Sequence, residues 1–290
     1  MSGTPTPESF SQLFHQLNLS SYSPWSNYPN FYYWAKDYVR VRQVEYHGRP
    51  TNNYDNGIKD KILSDFSKYR VIVTQAEAGF VHTELDEQFL GVKMSSYTHM
   101  LFDLMLKKSY IVKGEAGTVV DADSEASLQQ KCHQICSGTL KLNNNESVIF
   151  DRSKVYAIRD HARENGIYKF VVFYKYVQEG KMLREEFRER IVDDPIEFQR
   201  HDEGIFVKQV VSGREGLTLN TADWTYMFNI DFGWLSYDQA KDRINGLHKE
   251  NEPHLVWVFG DTGMELSIHK KVMSKKKYNS RDFRKFRQER

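Results

Sequence analysis

Apolar positions along the chain follow two different periods, and the change from one to the other divides the sequence. Residues 8–17 (ESFSQLFHQL) place Phe10, Leu13, Phe14 and Leu17 on one helical face, behind Thr6 and Pro7, which suit a cap and a first turn. Residues 29–40 predict a second, aromatic helix with Phe31, Tyr32, Trp34, Ala35 and Tyr38 set among charges, and 47–56 (HGRPTNNYDN) a turn-rich loop. The runs VIVT (71–74) and FLGVKM (89–94) predict strands, and 96–107 a helix. From about residue 110 the two patterns alternate. Helices are expected at 124–137, 152–165, 177–189, 235–247 and 262–277, and strands at 170–176, at the start of 204–213, at 224–230 and at 254–260. Strands separated by helices of this length imply a parallel sheet covered on both faces. The expected fold class is α/β over 109–290, preceded by a mainly helical 1–108, with ligands at the carboxyl ends of the strands.

Composition narrows the function classes. The chain has 290 residues, 40% apolar and 27% charged, an ordinary globular balance. Longer apolar runs such as FVVF (170–173) and LVWVF (255–259) fall far short of the roughly 20 residues of a membrane span. The opening MSGTPTPESF has neither the positive nor the apolar region of a secretion signal, so the cytoplasm is the expected compartment. Cys132 and Cys136 lie four apart, too close within one helical turn for an easy disulfide, and are expected as reduced thiols. His133 and Gln134 between them read as surface residues. The net charge of +1 hides an asymmetry: residues 268–290 hold ten Lys or Arg against Asp282 and Glu289, a local +8. Such a terminus is either a solvated tail or a contact for a polyanion.

Chemistry-bearing motifs are sparse. No G-x-x-x-x-G-K-[ST] phosphate loop occurs, and no G-x-G-x-x-G opens a helix. The acidic pairs Glu185-Glu186 and Asp193-Asp194 are adjacent, which points their carboxylates apart and makes neither an acid/base dyad. Four segments carry more: SGTPTP (2–7), KFVVFYKYVQE (169–179), SGREGLTLNTAD (212–223) and SYDQAKDRI (236–244). In this order and at these intervals they resemble motifs III, IV, V and VI of superfamily 2 helicases, most closely the Swi/Snf-like DNA translocases and their phage relatives. The helical segments 128–138 and 151–164 extend the resemblance over nearly the whole chain.

The resemblance implies a RecA-like second helicase lobe at 109–290 and, before it, the end of a first lobe. It implies an ATP-hydrolysing cleft between lobes, into which one lobe inserts an arginine that stabilises transition-state charge. Arg243, four residues after Gln239, falls in that arginine-finger position; its alternative is a surface arginine in an i,i+4 pattern. Where the family carries a second arginine three residues on, this chain has Gly246. By the same resemblance Glu215 and Gly216 lie toward the nucleotide, Ser212 and Thr218 toward the DNA backbone, Lys175 near the same edge as a phosphate contact, and Thr4 in the loop coupling nucleotide state to DNA grip. The implied cofactors are ATP and magnesium, both held mainly by a first lobe whose P-loop and acidic pair this sequence lacks. The implied partners are DNA, contacted without sequence specificity, and a separate chain supplying that lobe. The alternative function is a non-catalytic nucleic-acid-binding or regulatory protein built on a helicase lobe.

Overall fold

The computed structural model describes residues 9–46, 49–69, 85–113, 118–210, 219–244 and 251–290. The strand expected at 71–74 lies outside these residues. The chain divides into two compact units, residues 1–79 and 80–290.

The first unit is built on aromatic packing. Helices α1 (Gln12–Leu17), α2 (Phe31–Tyr38) and α3 (Lys59–Phe66) accompany an antiparallel hairpin, β1 (Arg42–Tyr46) and β2 (Arg49–Asn53). The hairpin occupies part of the segment expected as a loop. Asn30 caps α2, its side chain accepting from the amides of Tyr32 and Tyr33. Trp25, Trp34, Phe14 and Tyr38 close a small core, where Trp34 stacks on Tyr38 at 4.9 Å. Asp65 ties the core's polar tips together, accepting from the Tyr38 hydroxyl and from Trp25 Nε1 at 3.3 Å. Trp34 is thus fully buried within its own unit, whereas Tyr32 and Tyr33 of the same helix are more than half exposed.

In the second unit β3 (Asp86–Val92) and α4 (Ser96–Lys108) come first. A hairpin of β4 (Tyr110–Lys113) and β5 (Thr118–Asp121) leads to α5 (Glu125–Ile135), and a second, β6 (Thr139–Lys141) and β7 (Ser147–Ile149), leads to α6 (Ser153–Glu164). Then follow β8 (Lys169–Tyr174), α7 (Val177–Phe187), α8 (Pro195–Arg200), β9 (Gly204–Gln209), β10 (Trp224–Met227), α9 (Trp234–Ile244), β11 (His254–Gly260), α10 (Met264–Met273) and α11 (Ser280–Gln288). Five strands form one parallel sheet in the order β3-β11-β10-β8-β9. Because β3 pairs with β11 along its whole length, residues 86–108 belong to this sheet domain and not to the segment before it, so the boundary expected at 108/109 falls instead near residue 80.

Near-continuous apolar strands bury both faces of the sheet. Val171, Phe173, Leu255 and Trp257 face a core made with α4, α5, α10 and α11, while Phe170, Val172, Val256 and Val258 face α6 and α7. Gly138 ends α5 in a left-handed turn (φ +72°), where a Cβ would lie 2.1 Å from the Asp151 carbonyl oxygen, so only glycine fits. Among the described residues no helix is long and apolar enough to cross a membrane.

The basic terminus is a folded helix rather than a solvated tail. Asn279 and Asp282 form a capping box at the start of α11, Phe283 is fully buried in the sheet domain's core, and Phe286 packs beside it. The helix expected over 262–277 ends at Met273.

Candidate functional site at the carboxyl edge of the sheet

The strand order fixes where a ligand crevice belongs. The chain runs from β8 outward to β9, then returns past β8 to β10, so connections leave the carboxyl ends of β8 and β10 in opposite directions. Such a switch point opens a crevice outside the strand ends. Two residues with opposite charges occupy it.

Lys175 follows β8 directly, and Asp231 follows β10 by four residues. The Lys175 ammonium lies 3.0 Å from the Asp231 carboxylate and 3.5 Å from the centroid of the Phe232 ring. Its side chain is only 14% exposed. Burial pushes the lysine pKa below its ordinary value, with Asp231 opposing the shift. Burial alone would raise Asp231, but Lys175, the Ser236 hydroxyl and the Phe232 amide at 2.9 Å hold its carboxyl below the ordinary range. The pair is therefore ionised and closes the switch point.

Glu179, on the first turn of α7, organises the same edge. One of its carboxylate oxygens accepts from the amides of Lys175 (2.8 Å) and Tyr176 (2.9 Å), and the other accepts from Asn229 Nδ2 (2.6 Å), which also donates to Ser137 (2.7 Å). One buried carboxylate thus links the ends of β8, β10 and α5. Beside it, His133 Nδ1 meets the Tyr176 hydroxyl at 2.9 Å and its ring tilts over Phe232 at 4.8 Å. Nε2 of His133 is buried with no hydrogen-bond partner among the described residues, and burial, with Lys175 and Lys154 nearby, holds its pKa well below the usual range. The imidazole is neutral.

A second ion pair lies deeper. Lys154 of α6 pairs with Glu265 of α10, both at most 1% exposed, and also donates to the Phe228 carbonyl at 3.1 Å. Glu265 accepts from the Gly260 amide at 2.8 Å. Burial raises its carboxyl to about 7, against the pull of Lys154. These contacts join the ends of β10 and β11 to the helices on the two faces of the sheet.

Of the site residues read from sequence, Lys175 stands at the switch point, with its ammonium engaged by Asp231 rather than open to solvent. Gln239 and Arg243 lie on α9, three and seven positions after Ser236 and so on the same helical stripe; their side chains are outside the described set. Thr4, Ser212, Glu215, Gly216 and Thr218 lie outside the described residues. Sequence reasoning singled out none of Asp231, Asn229, Glu179, Lys154 and Glu265, although Glu179 and Lys154 lie within the segments 169–179 and 151–164, and it placed His133 and Gln134 on the surface although both are buried. A signal did exist for Asp231 and Asn229: polar residues directly after an apolar strand in a parallel sheet point to the ligand edge. Among the described residues no three of Asp, Glu, His and Cys are grouped to hold a metal ion.

No family model matches the sequence, and no curated protein matches it. Among solved structures, the crystal structure of the C-terminal part of the Fun30 ATPase domain superposes with a TM-score of 0.50 at 12% identity, covering 72% of this chain and 97% of that one. At this identity the likeness is one of fold. The parallel α/β sheet flanked by helices, expected from sequence, is that of a RecA-like lobe.

Proposed function

We propose that residues 80–290 act as the second lobe of a two-lobed, ATP-dependent DNA translocase of the Swi/Snf-like kind, presenting positive charge to a nucleotide whose phosphates are held by a P-loop lobe. The observation that carries this reading is one of topology. The segment that resembles motif IV spans β8 and runs past its carboxyl end into α7, the one that resembles motif VI lies on α9 after the carboxyl end of β10, and the one that resembles motif V comes between β9 and β10 in the sequence, so the order of the motifs matches the order of strands around the switch point. The similarity in fold to the C-terminal part of an ATPase domain supports it.

In this reading Arg243 stabilises charge that develops on the transferring phosphoryl group, and Gln239 positions it from the same helical face. Lys175, Ser212 and Thr218 contact the DNA backbone, Glu215 and Gly216 approach the nucleotide, and ATP and magnesium are held chiefly by the partner lobe. Residues 1–79, with Thr4 in the coupling loop, adjoin that lobe. The chain's lack of a P-loop motif equally suits a non-catalytic nucleic-acid-binding platform. The test is DNA-stimulated ATP hydrolysis by this chain mixed with a polypeptide comprising the P-loop lobe of a Swi/Snf-like ATPase. Hydrolysis that appears only in the mixture and collapses in Arg243→Ala supports the translocase reading; inert mixtures that still bind DNA favour the platform.

A further inference from the structure

The basic terminus is not used by the site at the sheet edge, and its folding raises the question of what its charge faces. In α11 the apolar residues Phe283 and Phe286 turn to the core, and the acids are consumed locally. Asp282 pairs with Lys271 at 2.6 Å and Glu289 with Lys285 at 3.6 Å. Lys270, Lys276, Lys277, Arg281 and Arg284 remain exposed, and none of them meets an acidic partner among the described residues. Arg290, by contrast, is anchored, donating to the Thr262 carbonyl at 2.6 Å and meeting Asp103 at 3.4 Å.

Of these cations Lys270 and Lys276 line an open groove of about 460 Å³ between α10 and α11, together with Lys271, Lys285, Tyr278 and Phe286, while Lys277, Arg281 and Arg284 stand outside it. The groove does not stand apart from the switch point. Tyr278 donates its amide to the Phe232 carbonyl at 2.8 Å, and the Lys275 ammonium lies 5.3 Å from the Trp234 ring, so the turn between α10 and α11 abuts the residues that cover Lys175.

We infer that the α10–α11 ridge is a docking surface for the phosphate backbone of a nucleic acid, continuing from the sheet edge along the outer face of the domain. The identity of the polyanion as nucleic acid rests on the function proposed above; the location is new. Two alternatives fit the surface less well. A membrane-binding helix keeps an apolar face for the acyl boundary, but here the phenylalanines are spent on the core and Leu266 is the exposed large apolar residue of α10 and α11. A protein interface is built around exposed aromatic or apolar anchors, but of the apolar residues lining this groove Tyr278 is buried and Phe286 packs against the core, leaving Leu266 exposed among lysines, hydroxyls and two acids. Arg281 and Arg284 stand one turn apart on α11, where i,i+3 neighbours are roughly 5–6 Å apart, and Lys276 and Lys277 lie in the segment just before it, an arrangement that suits contacts with phosphate and not with bases.

The test uses the intact chain and fluorescence anisotropy with a labelled single strand and a labelled duplex across a salt series. A variant carrying Lys276→Gln, Lys277→Gln, Arg281→Gln and Arg284→Gln is compared with a set in which the two lysines become arginine. The neutralised variant is expected to bind duplex at least about tenfold more weakly at low salt, with a slope of log affinity against log salt shallower by roughly 0.9 for each phosphate no longer engaged. The charge-conserving set should bind as the wild type does, and unchanged thermal melting shows that weaker binding comes from the missing charge and not from unfolding. An unchanged slope in the neutralised variant would overturn the inference. So would binding of phosphatidylserine vesicles, or of polyglutamate of matched charge, as tightly as DNA. If Lys175→Ala weakens binding while the ridge variant does not, the sheet-edge reading stands and the ridge alone fails; wild-type chain that binds no DNA at low salt sinks both.

Discussion

Lys175 and Asp231 face one another at 3.0 Å across the carboxyl ends of β8 and β10, under the ring of Phe232. In the function proposed above, an incoming phosphate would compete with Asp231 for the same ammonium. Asp231→Asn is therefore expected to tighten binding of an oligonucleotide, and Lys175→Ala to weaken it with little change in preference among sequences. Asp231→Asn also leaves a buried cation short of its counter-charge and should cost about 3–5 kcal/mol of stability. Anisotropy paired with denaturant melts separates the two effects. Weaker binding in Asp231→Asn, with the fold intact, would show that the carboxylate is not the competitor.

The buried Lys154–Glu265 pair is a stability element. Removing one partner strands the other's charge, so Lys154→Met should destabilise by about 3–5 kcal/mol, whereas Lys154→Met with Glu265→Leu should recover most of the loss. A double-mutant cycle in urea measures this. A double variant no more stable than either single one would contradict the coupling.

Two carboxyls set opposite pH limbs. Burial alone would raise Asp151, but Ser153, Thr98 and the amide of Ser95 at 2.8 Å donate to it and lower it to about 2. Its folded pKa is depressed, so its contribution is present above about pH 4 and lost as pH falls through about 2. Glu265 is raised from 4.5 to about 7, so its contribution is present below 4.5 and lost as pH rises through about 7. Thermal melts across pH should show Asp151→Asn flattening the acid limb and Glu265→Gln flattening the slope between 4.5 and 7, whatever each does to the absolute Tm. Parallel curves for wild type and variant would refute the assignment.

Much of the sheet domain was legible because its strands are buried on both faces, as in FVVF and LVWVF, and its helices are long. The hairpins around α5 were not. Their strands have three or four residues, and the clearest signal was the Asn143-Asn144-Asn145 turn, where Asn145 takes φ +67°. Charge hid α11, because ten basic residues read as a tail although Asn279, Asp282, Phe283 and Phe286 spell a capped amphipathic helix. Deleting 274–290 would accordingly remove Phe283 from the core, and side-chain neutralisation is the proper probe of charge there. The partners of Lys175 were illegible for another reason: Asp231 is distant in sequence and meets it only through the strand order.

The chain by itself should show no appreciable ATP hydrolysis, since the role proposed for Arg243 requires phosphates positioned by a loop this sequence does not contain. In a reconstituted two-lobe enzyme, Arg243→Ala should lower kcat by about 10³ with a smaller effect on ATP affinity. Full turnover in that variant would assign the charge to another residue.

The most direct measurement is photo-crosslinking of the intact chain to a single strand carrying 5-iododeoxyuridine, with adducts mapped by mass spectrometry at a salt concentration where binding is saturated. The sheet-edge account predicts adducts in peptides spanning 174–177 and 209–219, where β8 and β9 end, reduced in Lys175→Ala and competed by unlabelled strand. Adducts confined to the opposite edge of the sheet, around Asp86, Trp224 and His254, or missing from 174–177 and 209–219 while the strand is bound, would contradict it.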